Sequence, residues 1–334
     1  MISNLYFIFH RLSPLVLVCV FGLSEKSAAQ IEQTNDAPYL VVLGISQDAG
    51  TPQSGNHGHP AWTNPSRRKL ATSLGLVDPG TGKTWMFEAT PDFRQQWYEL
   101  DSASRKTTLR SDTSNSRTGP SVPDGIFLTH AHMGHYTGLM FLGHESVGAS
   151  RVTVFAMEQM ADFLSHNGPW DQLVRKSNIS IRELRPSVPI RLTDKLRVIP
   201  FLVPHRQEYS EVVGYRIEGP GRTALFIPDI DSWDDWDQMG HRIEAILETV
   251  DVAYLDGTFY ADGEIPGRDM SSFPHPFITV TMDRLSTLPE AQRAKIRFIH
   301  LNHTNPASDA ESLEAITIRR NGFNVASELE IFGL

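Results

Sequence analysis

Short apolar runs that are typical of β-strands end, again and again along this sequence, in a histidine or an aspartate. The runs are GIFLT, IPFLVP, ALFIP, VAYL and IRFI, and the polar residues at or just after their ends are His130, His132, His135, His205, Asp229, Asp256, His300 and His303. Loops at the ends of strands present functional groups from a rigid scaffold. The recurrence predicts one functional site that is built from many strand ends.

Strand-like and helix-like segments alternate along the chain, with hairpins between some of them, and this alternation favours an α/β sandwich with mixed sheets. The pattern predicts a hairpin that turns at residues 79–82, a helix over 91–100 and a surface loop over 101–120. It also predicts helices over 136–142 and 236–250.

The first thirty residues have the pattern of a secretory signal peptide. His10 and Arg11 precede the apolar run LSPLVLVCVFGL, and small residues follow. We expect cleavage after Ala29, which leaves one domain over residues 30–334 in the periplasm or outside the cell. An uncleaved anchor helix is the alternative, but the apolar run is shorter than the roughly 18–20 residues that span a bilayer. No stable membrane insertion is expected after cleavage.

Composition limits the expected partners and the types of metal ligand. The formal net charge is −9 and no Lys/Arg-rich run occurs, so a nucleic-acid partner is not expected. Cys19 is the only cysteine and lies in the expected signal peptide. A metal in the mature chain would therefore be held by nitrogen and oxygen ligands. The expected partner is a small-molecule substrate, and no feature of the sequence points to an oligomeric state.

The segment THAHMGHYTG predicts a metal site. His130 and His132 are two residues apart in an extended segment, so their side chains point to the same side, and His135 returns from the following turn. Neutral imidazoles suit zinc or ferrous iron, and an added carboxylate can bridge two such ions.

These residues carry a resemblance. THAHMGH, a distant His205, a distant Asp229 and a terminal strand with histidine resemble the metallo-β-lactamase superfamily, whose signature is H-x-H-x-D-H. More narrowly, TSLGLVDPGTGKTWMFEATPDFRQQ, YLDGTFYADGE, PHPF and HLNHTNP resemble the family of coenzyme PQQ synthesis protein B. The resemblance implies an αββα sandwich with two mixed β-sheets.

The resemblance also implies a ligand set. His130, His132 and His205 would hold a first ion, Asp229 would bridge, and His135 with a terminal histidine would hold a second ion. His303 is favoured over His300 as that terminal ligand, because it lies in the loop beyond the strand. Asp229 is also the candidate catalytic residue, which could orient a metal-bound hydroxide or take its proton.

Gly134 departs from the superfamily pattern, because it stands where the signature has an aspartate ligand. Three alternatives are compatible with this glycine. The centre could hold a single ion, or a second ion with an open coordination position, or a second ion whose coordination is completed by His275 or Asp48. Asp256 could hydrogen-bond a ligand histidine.

The expected function is an exported metal-dependent hydrolase that uses a metal-bound hydroxide on an ester, amide or phosphodiester bond, with one or two Zn²⁺ ions. An Fe²⁺-dependent oxygenase or hydroxylase on the same fold, a PQQ-biosynthesis-related protein, and a non-enzymatic binding protein are the alternatives. The sequence has no G-x-S-x-G, strand-linked G-x-G-x-x-G or P-loop to support a serine nucleophile or a nucleotide site.

Overall fold

The computed structural model describes residues 37–108, 122–206 and 208–334. The expected signal peptide and most of the predicted surface loop lie outside these residues. Two mixed seven-stranded sheets form the centre of the molecule. The strands of the first sheet, in the order in which they lie side by side, are β14 (Ile331–Gly333), β1 (Tyr39–Gly44), β2 (Ser73–Asp78), β3 (Lys83–Phe87), β4 (Gly125–Phe127), β5 (Val152–Ala156) and β6 (Ile179–Glu183).

The second sheet has the same number of strands. In side-by-side order they are β13 (Asn324–Val325), β12 (Ile296–Ile299), β11 (Val252–Asp256), β10 (Thr223–Ile227), β9 (Val213–Glu218), β8 (Arg197–Leu202) and β7 (Ile190–Arg191). The α-helices are α1 (Phe93–Thr108), α2 (Met133–Tyr136), α3 (Glu158–His166), α4 (Trp170–Arg175), α5 (Trp233–Gln238), α6 (Ile243–Glu248), α7 (Ile278–Arg284), α8 (Glu290–Arg293) and α9 (Leu313–Arg320).

The core is divided by the two-residue period of the strands. Along β1, Leu40 and Val42 point into the core between the sheets, whereas Tyr39, Val41 and Leu43 face the layer that contains α1 and α3. Aromatic rings from the two sheets meet within the inter-sheet core. The Phe87 and Phe127 rings of the first sheet stack at 5.0 Å, and Tyr215 of the second sheet meets Phe87 edge-on at 5.4 Å. The αββα sandwich that was expected is confirmed.

The strands that lead to the histidines and aspartates run in one direction within each sheet. In the first sheet, β1 and β3 are both antiparallel to β2, and β4 is parallel to β3. In the second sheet, β8 and β10 are both antiparallel to β9, while β11 and β12 continue parallel to β10. The carboxyl ends of these strands therefore lie at one edge of their sheet, which is where loops gather functional groups.

Three local predictions need correction. Helix α1 continues to Thr108, so the first part of the predicted loop over 101–120 is helical. The helix predicted over 236–250 is interrupted, because Gly240 adopts a left-handed φ of 86°. The His241 N–H donates to Trp236 O and the Gly240 N–H to Asp237 O, which is the Schellman pattern that ends a helix. The helix predicted over 136–142 is a 3-10 helix, Thr137–Leu142, that follows α2.

The hairpin predicted at 79–82 is confirmed by the antiparallel pairing of β2 with β3. Within the described ranges, no helix is long and apolar enough to cross a lipid bilayer.

Candidate metal centre

The first cluster of the centre joins three histidines from both sheets. His130 and His132 follow β4, and His205 follows β8. His132 Nδ1 lies 2.8 Å from His130 Nε2 and 3.3 Å from His205 Nε2. One nitrogen from each ring thus points to a common position, and the three form a group whose ligand atoms all lie within 4.8 Å of one another.

The other nitrogen of each ring is held by a neighbour. Thr129 Oγ1 lies 2.8 Å from His130 Nδ1, Glu208 Oε2 lies 2.7 Å from His132 Nε2, and Asp231 Oδ1 lies 2.6 Å from His205 Nδ1. Partners of this kind fix the orientation and tautomer of a metal-binding imidazole. The three rings are therefore preset with their remaining nitrogens directed at one point.

Asp229 connects this cluster to a second group. It follows β10 and is buried. Its Oδ2 lies 3.0 Å from His135 Nε2 and 3.5 Å from His130 Nε2, and its Oδ1 lies 3.3 Å from His300 Nδ1. A carboxylate placed between imidazoles of both groups has the position of a bridging ligand.

The second group consists of Asp48, His135 and His300, whose ligand atoms also lie within 4.8 Å of one another. His135 is carried by α2, His300 directly follows β12, and Asp48 lies in the loop after β1. Asp48 Oδ1 is 4.0 Å from His135 Nε2.

His135 has a partner beneath it that the sequence analysis missed. Glu88, fully buried at the end of β3, places Oε1 3.3 Å from His135 Nδ1. In the same group, His300 Nε2 is buried and makes no hydrogen bond with any described residue. A buried nitrogen without a hydrogen-bond partner is costly in a folded protein. A bound cation would satisfy it, so the residues present fit a metal ion.

Burial and charge set the protonation of the centre. Burial lowers the pKa of His130 well below its usual value, and it also lowers the pKa values of His132 and His300. These rings are neutral at pH 7, as metal ligands must be. Burial would raise the pKa of Asp229, but His300 and His135 outweigh it and hold that pKa well below its usual value.

His135 differs from the other ligand candidates. Burial alone would lower its pKa, but Glu88 and Asp229 outweigh burial and raise the pKa well above the usual value for histidine. The proton on His135 is thus the one that a metal ion would have to displace.

His275 and Asp256 form a buried network next to Asp229. Asp256 Oδ2 lies 2.8 Å from His275 Nδ1, and Asp256 Oδ1 accepts hydrogen bonds from the Thr258 N–H and hydroxyl. Thr258 Oγ1 lies 2.9 Å from His300 Nδ1. Asp256 therefore contacts His275 directly and reaches His300 through Thr258. A nitrogen of His275 also forms a group of clustered ligand atoms with Asp229 and His300.

Of the two terminal histidines, it is His300, not the favoured His303, that this structure brings to the clustered ligand atoms. Among the described residues, His300 belongs to two groups of clustered ligand atoms and His303 to none. The cause lies in the backbone, because His300 leaves β12 with a left-handed φ of 64° and turns its buried ring into the centre. Partial burial, and secondarily the nearby His59, lower the pKa of His303.

Five residues of the centre were missed from the sequence, namely Glu88, Thr129, Glu208, Asp231 and Thr258. Two of them left a signal. Glu88 ends a strand, as the recognised residues do, and Asp231 follows β10 two positions after Asp229. Glu208 left none, because only the folded chain brings it to His132.

Comparisons with known proteins identify the family of the chain. A model of the β-lactamase superfamily domain matches residues 76–318. Coenzyme PQQ synthesis protein B of Xanthomonas campestris pv. campestris (strain B100) is 25% identical over 316 residues, which cover 87% of this chain and 99% of that protein.

Solved structures share the fold. Zn²⁺-bound PqqB from Methylobacterium extorquens superposes with a TM-score of 0.69 at 22% identity, covering 89% of this chain and 100% of that one. A diphosphatase from the PhnP family gives a TM-score of 0.59 at 22% identity and covers 89% of this chain and 97% of its own.

Proposed function

The chain belongs to the β-lactamase superfamily, and from that premise we propose that it is a metal-dependent hydrolase acting on an ester, amide or phosphodiester bond of a small molecule. One observation carries the proposal. Histidines and aspartates from seven separate positions, Asp48, His130, His132, His135, His205, Asp229 and His300, converge in overlapping groups of ligand atoms at the ends of strands from both sheets.

We assign the ligands as follows. His130, His132 and His205 would hold a first ion, His135 and His300 would hold a second ion, and Asp229 would contribute to both. The donors are imidazole nitrogens and carboxylate oxygens, which suit Zn²⁺ and also Fe²⁺. Support for a bound metal ion comes from the donor set and from the neutral state of His130, His132 and His300.

A bound ion of this kind supplies a nucleophile at neutral pH, since coordination lowers the pKa of water to roughly 7, and it polarises the bond under attack. Asp229 orients the attacking water. Its pKa is held well below the usual value, so it stays ionised and is a weak proton acceptor. Orientation, rather than removal of the proton, is therefore its role in this proposal.

Two other functions share part of this support. An Fe²⁺-dependent oxygenase would use the same donors. A role related to PQQ synthesis is favoured by the similarity to PQQ synthesis protein B over 87% of the chain. Restored PQQ production in a bacterium that lacks its own protein B would favour that second role.

The hydrolase proposal is tested by purifying the protein without added metal, measuring zinc and iron, and screening ester, lactam and phosphodiester substrates. Turnover should depend on the bound ion and fall at least about 100-fold in His132→Ala. His166→Ala is the matched control, because the His166 side chain is 72% exposed on the surface. Predominant iron with dioxygen consumption and no hydrolysis would overturn the proposal in favour of the oxygenase.

We further propose that the protein acts in the periplasm or outside the cell. The signal-peptide pattern of the first thirty residues supports this location. Intact mass measurement of the exported protein should show a chain that begins at Gln30. A full-length chain confined to the cytoplasm would contradict it.

A further inference from the structure

We propose that Asp48 supplies the carboxylate ligand that the superfamily motif lacks at position 134, and that Gly134 is required so that Asp48 can reach the second ion. The inference rests on the proposed metal centre and deepens it. The two positions lie far apart in the sequence, on the loop after β1 and on α2.

Contact with Asp48 explains the glycine. A Cβ atom at position 134 would lie 2.5 Å from Asp48 Cα and 2.6 Å from Asp48 Oδ1. Real Cβ atoms essentially never approach other heavy atoms this closely. Gly134 is not in the left-handed region, so its backbone conformation would tolerate any side chain. What excludes a side chain, including the aspartate of the motif, is the backbone of the Asp48 loop.

The Asp48 loop is built to hold this position. Ser46 pairs with Leu301, the residue after His300, and the Gln47 N–H donates to Leu301 O at 2.8 Å. Asp48 itself has a left-handed φ of 42°, a conformation that non-glycine residues adopt uncommonly, with aspartate among the enriched types. The loop is thus fixed to the segment that carries His300, so Asp48 and His300 keep a constant relation.

The carboxylate lies where a ligand to the second ion belongs. Asp48 Oδ1 is 4.0 Å from His135 Nε2, and the two residues form one group of ligand atoms with His300. His135 and His300 are 1% exposed, whereas the Asp48 side chain is 31% exposed. Asp48 therefore closes the second position from its open side. His275 is the weaker candidate, because the nitrogen that faces Asp229, His275 Nδ1 at 3.6 Å from Asp229 Oδ1, is the one that lies 2.8 Å from Asp256 Oδ2.

The assignment has a consequence for substitutions at position 134. A new aspartate there would not restore a ligand, because its Cβ would collide with Asp48. Even Gly134→Ala, which neither adds nor removes a ligand group, should displace Asp48 and weaken the second ion.

The test is the metal content of the purified full chain after loading with zinc and gel filtration, together with zinc affinity measured against a chelator. The wild type should retain about two ions per chain, and Asp48→Asn and Gly134→Ala about one, with the weaker ion bound at least about 100-fold more loosely. Asp262→Asn, an exposed carboxylate, and Gly58→Ala, where a Cβ meets nothing within 4 Å, are the matched controls and should retain both ions.

The outcomes separate this inference from the proposed function. A wild-type chain that binds no metal would overturn both. A wild-type chain with a single ion, or Asp48→Asn with both ions at unchanged affinity, would overturn the Asp48 assignment and leave the first ion and the hydrolase proposal standing. If Gly134→Ala does not fold, as judged by circular dichroism, Asp48→Asn decides alone, because an amide occupies nearly the same volume.

Discussion

Replacing Asp256 with asparagine tests the network behind the ligand histidines. Asp256 is fully buried, and its two oxygens serve four donors. Oδ1 accepts from the Thr258 N–H at 2.9 Å and the Thr258 hydroxyl at 2.7 Å. Oδ2 accepts from the Ile230 N–H at 3.0 Å and lies 2.8 Å from His275 Nδ1.

The magnitude follows from these contacts. An amide offers one oxygen, so in either orientation its NH₂ faces a buried backbone N–H that has lost its acceptor, which costs about 1–3 kcal/mol. His275 also loses the carboxylate that pairs with it, and breaking a buried pair raises the total to about 3–5 kcal/mol. At about 2 °C per kcal/mol for a chain of this size, Tm should fall by roughly 6–10 °C.

The assay is urea and thermal unfolding, both followed by circular dichroism. The metal-free protein is used, so that metal binding contributes nothing to the measured stability. Asp194→Asn is the control, since the Asp194 side chain is 95% exposed in a surface pair that is worth at most about 1 kcal/mol. If Asp256→Asn lowers the free energy of unfolding no more than Asp194→Asn does, the network does not support the centre in the way described.

Three further predictions test other parts of the structure. Gly138→Ala should lower the free energy of unfolding by at least about 2 kcal/mol, because a Cβ there would lie 2.1 Å from Thr90 O, whereas Gly58→Ala should change it by less than about 0.5 kcal/mol; equal unfolding curves would contradict this. His300→Ala should lower the zinc content of the protein, and His303→Ala should not. Loss of zinc in the His303 variant would indicate that His303 is a ligand after all. Burial alone would lower the pKa of His275, but its carboxylate neighbours raise that pKa to about 9. In the metal-free protein, the contribution of His275 to stability should be complete below its usual pKa of about 6.5 and be lost as the pH rises through about 9. A free energy of unfolding that does not change over this pH range would refute the prediction.

The sequence predicted the sandwich and the first cluster because both follow from local pattern. Apolar alternation marks a strand, and His130, His132, His205 and Asp229 each stand at a strand end, where loops collect functional groups. Position along the chain was enough to find these residues.

The second position could not be predicted in the same way. Whether Asp48 or His275 approaches His135 depends on how two long loops fold back, and no spacing in the sequence encodes that distance. The choice between His300 and His303 depended on one left-handed φ at His300. The end of α5 could have been predicted from the sequence, because glycine commonly ends helices and Gly240 follows the last turn of α5.

The two sheets contribute ligand candidates in nearly equal share, with Asp48, His130, His132 and His135 following strands of the first and His205, Asp229 and His300 following strands of the second. An ion held by both sets is a cross-link between the halves of the chain. With Cys19 as its only cysteine, the chain cannot form an internal disulfide. A metal ion bound here would stabilise the fold as a disulfide does, because its binding free energy adds to the stability of the folded state. A chelator would remove this cross-link, just as a reducing agent cleaves a disulfide.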